Sequence, residues 1–114
     1  MPSYCPWRGD LVWLEFGPQS GHEQAGHRPV LVLSPEVYNR KTGLAIFCPL
    51  SSREKGYPFE TQLPKGLKVS GVVISDQVKN LDWKIRRAKF CCEAPPLVLS
   101  EVLGKLDALL ALTK

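Results

Sequence analysis

Asp10-Leu11-Val12-Trp13-Leu14-Glu15-Phe16, set between Gly9 and Gly17-Pro18, decides the fold class of this chain. Its apolar residues are too continuous for a clean in-and-out alternation, yet branched and aromatic side chains between glycine breaks argue a strand. Similar short runs follow at Val30-Leu31-Val32-Leu33, Leu44 to Cys48, Phe59 to Leu63, Val72 to Ser75 and Ile85 to Phe90, each bounded by Gly, Pro, Asn or Ser. Their spacing, roughly 8 to 15 residues, is that of a small antiparallel sheet or barrel. Only the tail changes period. Leu99, Val102, Leu103, Leu106, Leu109 and Leu110 recur at the spacing of one helical face, with Pro95-Pro96 ahead of them and Ser100 as the expected cap. The pattern predicts a mainly β protein with one C-terminal helix whose apolar stripe covers the sheet.

At 114 residues, 44% of them hydrophobic and 23% charged, the chain has an ordinary globular composition, and a single domain over residues 1–114 is expected. No apolar run approaches the ~20 residues of a membrane helix, and Met1 to Pro6 has neither a basic nor an apolar leader region, so a cytoplasmic protein without membrane contact is expected. Cys5, Cys48, Cys91 and Cys92 form no C-x₂-C pair, and two of them are adjacent. Reduced, half-buried cysteines are expected rather than a zinc site or a disulfide framework.

Fifteen Lys and Arg against eleven Asp and Glu give a net charge of +4, which suits an anionic partner. From Lys79 to Lys89, the residues Lys79, Lys84, Arg86, Arg87 and Lys89 oppose only Asp82, with Trp83 inside the stretch and Phe90 beside it. Basic groups interleaved with aromatics serve single-stranded nucleic acid, where phosphates need cations and unstacked bases need flat apolar surfaces. A solvated edge strand guarded against aggregation reads the same way.

Between the first two strands, Gly17 to Pro29 is a polar stretch almost without aliphatic residues that holds both histidines, Glu23 and Arg28. Stretches of that length are usually functional. A second polar connection, Ser51 to Pro58, follows Cys48-Pro49-Leu50. His22 and His27 are one residue too far apart for a helical zinc-protease pair, and a glycine lies between them. A Walker loop, a dinucleotide fingerprint and a G-x-S-x-G elbow are absent, so no cofactor and no metal are expected. Cys48 and His27 would supply a thiol and a base, but nothing in the sequence pairs them.

A basic site bearing hydroxyl and imidazole groups suits a phosphodiester. Internal attack by a ribose 2′-OH requires that hydroxyl to be deprotonated, the phosphorane charge to be stabilised and the leaving 5′-oxygen to be protonated. Arg28 fits the second task, since its planar fork grips two phosphate oxygens and its pKa above ~12 makes it a poor base. Ser51 or Ser52 can donate to the same phosphate, while Glu23 and His27 are candidates for proton transfer or base recognition.

At Glu23-Gln24-Ala25-Gly26-His27-Arg28-Pro29, Val32-Leu33-Ser34-Pro35, Tyr38-Asn39, Lys41-Thr42-Gly43, Lys55-Gly56-Tyr57-Pro58-Phe59-Glu60 and Asp76-Gln77-Val78-Lys79, the chain closely resembles the MazF/PemK family of toxin endoribonucleases. Several blocks in one order over nearly the whole length make the resemblance specific. It implies a compact SH3-like β-barrel with a C-terminal helix and short additional helices, assembled as a two-fold homodimer. It also implies metal-independent cleavage of single-stranded mRNA, restrained by a cognate antitoxin whose disordered tail folds over the RNA site. The family's catalytic arginine falls on Arg28, its catalytic hydroxyl on Ser51 and a further glutamate on Glu23; His27, Ser52, Lys55, Gln77 and Lys79 are the expected RNA contacts. Serine in place of the usual threonine keeps the hydroxyl but loses the methyl that fixes χ1. The match weakens from Lys84 onward. Two rival readings are a non-catalytic toxin of the same fold that traps DNA gyrase, and an inactive relative that only binds RNA or antitoxin.

Overall fold

The fold is that of a computed structural model, which describes residues 4–16 and 26–111. Strand β1 (Asp10–Phe16) runs antiparallel to β2 (Gly26–Val32), with Leu11 opposite Leu31 and Leu14 opposite Arg28. Helix α1 (Glu36–Thr42) leads into the long central strand β3 (Leu44–Ser51). Then come β4 (Glu60–Gln62), β5 (Val72–Ile74), a 3₁₀ turn (Ser75–Gln77), β6 (Lys79–Asp82), β7 (Lys89–Glu93) and α2 (Pro96–Leu110). The sheet order is β4-β5-β3-β2-β1-β7, and β6 pairs with the first half of β3. This is a mainly β fold, but the expected barrel is not closed. Among the described residues no ladder joins β4 to β7, and α2 instead packs beside β4 and the 3₁₀ turn, where Lys105 Nζ donates to the Glu60 carbonyl at 2.6 Å.

The continuous apolar run in β1 follows from burial on both faces. Leu11, Leu31, Cys48 and Val73 pack on one side with Val98, Val102 and Leu106 of α2. Val12, Leu14, Val30, Val32, Ala45 and Phe47 pack on the other with Trp83. The C-terminal helix covers the sheet as expected, but through a narrower stripe than its periodicity predicts: Val98, Val102 and Leu106 are buried, Leu99 is half-buried, and Leu103, Leu109 and Leu110 are exposed. Among the described residues no helix is long and apolar enough to cross a membrane.

Four local expectations are corrected. The polar stretch ahead of Pro29 is shorter than read, because β2 begins at Gly26 and carries His27 and Arg28 on a strand. The expected strand Ile85–Phe90 is a turn followed by β7: the Ile85 amide donates to Asp82 Oδ1 at 2.8 Å, and Arg87 adopts φ 52°. Trp83 belongs to the core, its indole Nε1 donating to the Asn39 carbonyl at 2.9 Å, so it is not a base-stacking platform. Helix α2 starts at Pro96, whose fixed φ suits the first helical position, and Ser100 lies inside the helix rather than capping it.

Helix α1, which periodicity did not reveal, holds the second core through one side chain. Fully buried Asn39 donates to the Pro6 carbonyl at 2.8 Å and to the Ser34 carbonyl at 3.1 Å, and accepts from Ser34 Oγ at 2.6 Å. Replacing it with alanine strands several buried polar groups at once. Asn39→Ala is expected to cost about 3 kcal/mol, read as a lower urea midpoint at unchanged m-value.

Candidate active site

Adjacent strands deliver the principal side chains. β2 carries His27 and Arg28, and the end of β3 carries Ser51. The connection after β3 supplies Ser52, Arg53, Lys55 and Tyr57, and the 3₁₀ turn supplies Asp76 and Gln77. All line one open groove of about 570 Å³, together with Glu60 and Ser70. Of the residues singled out from sequence, the groove thus gathers His27, Arg28, Ser51, Ser52, Lys55 and Gln77. Lys79 begins β6 opposite Phe47 and is not among the lining residues. Glu23 lies outside the described residues.

Arg28 is exposed, with its guanidinium 5.9 Å from the centre of the Phe16 ring. Arg86 lies 5.0 Å from the same ring. Cation–π contact on one aromatic support limits the rotamers open to both side chains. His27 Nε2 is 3.8 Å from a Glu15 carboxylate oxygen, whose other oxygen is 3.7 Å from Arg87 Nε. These contacts are solvent-exposed and contribute little to stability.

The Ser51 hydroxyl accepts from the Arg53 amide at 3.1 Å, forming the local turn that opens the connection. On the other side of Ser51 lies Gly71, at φ +119°, just before β5; a Cβ there would sit 2.2 Å from the Ser51 carbonyl oxygen. Only glycine permits this approach. The connection is further held by Glu60, whose carboxylate accepts from the Lys55 amide at 3.1 Å and the Gly56 amide at 2.9 Å. Glu60→Ala should leave the fold intact but loosen Lys55 and Tyr57, raising KM for RNA roughly 5- to 30-fold, or about 1–2 kcal/mol in steady-state kinetics.

Cys48 is fully buried beneath the groove, and burial, with Asp76's negative charge second, pushes its thiol up to about 12. It remains protonated at neutral pH and is no nucleophile. Arg53, Tyr57, Glu60 and Asp76 were not singled out from sequence. Polarity alone does not distinguish groove residues from solvated loop residues, and these become visible only when β3, β4 and the 3₁₀ turn meet.

The open sheet, its covering helix and the groove are shared with MazF structures and put the chain in one class of toxins of type II toxin-antitoxin systems. Within that class the chain belongs to the family described as PemK-like, MazF-like toxins, whose sequence profile matches residues 7–110. It is 44% identical over 107 residues to the endoribonuclease toxin MazF of Escherichia coli K12, covering 94% of this chain and 96% of that one. With the endoribonuclease PemK of Escherichia coli it shares 35% identity, covering 90% and 80% respectively. The solved MazE–MazF structure (Form-II) from Deinococcus radiodurans superposes with a TM-score of 0.90 at 58% identity, covering 97% of this chain and 100% of that chain.

Proposed function

We propose that the chain is a single toxin domain spanning residues 1–114 that cleaves single-stranded mRNA by internal 2′-OH attack, without a metal. The observation that carries this reading is the meeting of Arg28 and Ser51, from neighbouring strands, in one open basic groove. Arg28 grips the non-bridging phosphate oxygens and stabilises the charge that grows on them in the phosphorane. Ser51 donates its hydroxyl hydrogen to the same phosphate, while its oxygen is oriented by the Arg53 amide. Proton transfer belongs to Glu23 or His27. Ser52, Lys55 and Gln77 contact the RNA, Lys79 lies farther along its path, and extended single-stranded RNA fits an open groove better than a duplex does.

The serine series tests this reading. Ser51→Ala is expected to slow cleavage about 10- to 100-fold, the worth of one hydrogen bond to a charged group. Ser51→Thr is expected to retain or raise the rate, since the added methyl restricts χ1. If Ser51→Ala cut faster than Ser51→Thr, the donor would be a different hydroxyl.

The regulatory partner in this reading is a cognate antitoxin peptide laid across the RNA groove, as the resemblance to solved MazE–MazF complexes supports. The working form is a homodimer, and the exposed Leu97 and Leu110 of α2 are the kind of surface that a second chain would cover. Localisation in the cytoplasm follows from an mRNA substrate.

A further inference from the structure

The last strand is irregular. Leu11 of β1 faces Cys92 and Val12 faces Phe90, so Cys91 is an extra residue without a partner, a β-bulge. In an unbroken strand Cys91 and Cys92 would point to opposite faces. The bulge turns both onto the α2 side of the sheet, with their sulfurs 3.6 Å apart. Cys91 opens into a groove of about 410 Å³ lined by Trp13, His27, Lys68, Lys89 and Phe90, and Cys92 is half-buried. The cleavage chemistry uses neither thiol.

The separation is far longer than the ~2.05 Å of a disulfide, and adjacent Cα atoms ~3.8 Å apart lie below the usual disulfide range. It is close to the ~3.4 Å that two sulfurs take on one pyramidal, three-coordinate centre with ~2.3 Å bonds and angles near ~95°. Among the described residues no cluster of three His, Cys, Asp or Glu side chains is placed to hold a metal ion. The fitting ligand is therefore a soft centre satisfied by two sulfurs alone. We propose that Cys91 and Cys92 form a chelating dithiol site for trivalent organoarsenicals.

The step balances without oxidant or reductant. An arylarsonous acid, ArAs(OH)₂, exchanges both hydroxyls for sulfur: two As–O and two S–H bonds break, two As–S bonds form, two waters leave, and arsenic stays trivalent. Burial, and then the neighbouring Cys92 thiol, hold Cys91 above the ordinary thiol range. The more accessible Cys92 makes the first bond, and Cys91 closes the ring.

The test is incubation of the whole chain with phenylarsine oxide, followed by intact-mass analysis, thiol titration and peptide mapping. One phenylarsenic per chain is expected on the peptide containing Cys91 and Cys92, with loss of two titratable thiols and reversal by a small dithiol. Cys91→Ser and Cys92→Ser should each weaken binding about 100-fold or more, because the second bond forms at high effective concentration. Cys5→Ser and Cys48→Ser, checked for folding by circular dichroism, should bind as the parent does. An adduct mapping to Cys5 or Cys48, unchanged affinity in Cys92→Ser, or a folded parent chain that takes up no arsenical would each overturn the proposal.

Discussion

An Arg28→Ala protein is expected to fold as the parent does and to cleave RNA at least about 100- to 1,000-fold more slowly, the usual cost of removing one preorganised donor from a developing oxyanion. The fold should survive because Arg28 is exposed on β2, clear of both core clusters. The Phe16 ring, which Arg28 contacts, can be covered by Arg86. The loss should fall on kcat, since the charge that Arg28 meets is greatest in the transition state. Arg28→Lys should recover only part of the rate, because an ammonium lacks the two-pronged geometry. Normal cleavage by Arg28→Ala would remove Arg28 from the mechanism.

Gly71→Ala is expected to be the most damaging small substitution for stability, at about 3 kcal/mol or more. The new Cβ would meet the Ser51 carbonyl oxygen at 2.2 Å, and backbone cannot swing aside as a flexible side chain can. The backbone at φ +119° adds strain for any residue with a Cβ. Relief would require β5 to move away from Ser51, breaking the pairing of Ser51 with Val72, so activity should fall together with the urea midpoint. Gly104 supplies the contrast. It lies in α2 with nothing within 4 Å of a new Cβ, and Gly104→Ala should stabilise the helix by about 0.5–1 kcal/mol. Equal effects at the two glycines would show that β5 does not brace the site.

Much of the fold was legible because burial writes itself into the sequence. The β1 run shows as a strand through its branched and aromatic residues between glycine breaks. α2 shows as a helix through its roughly 3 to 4 residue spacing, although its buried face is Val98, Val102 and Leu106 while Leu103, Leu109 and Leu110 are exposed. Helix α1 was not legible, since seven residues with one buried side chain, Asn39, leave no stripe to detect. The strand expected at Ile85–Phe90 failed because Trp83 turns into the core and the following residues serve as a turn, leaving Ile85 77% exposed. The bulge at Cys91 depends on register against β1, which no local pattern encodes.

The site divides in the same way. Arg28 and Ser51 stood out through chemistry and resemblance, whereas Glu60 and Gly71 act through backbone contacts that composition cannot express. Lys79 lies within a matching block, but its place at the start of β6 opposite Phe47 leaves it outside the residues that line the groove, a separation that depends on strand pairing and that no local pattern encodes.

The most direct measurement is incubation of the purified chain with a long single-stranded RNA in EDTA, mapping the 5′ ends of the fragments. Discrete cuts that share a short sequence and carry 5′-hydroxyl ends are predicted, and they would be lost with Arg28→Ala. RNA left intact by a folded chain that still binds it would contradict the account and leave a binding module in place of an enzyme.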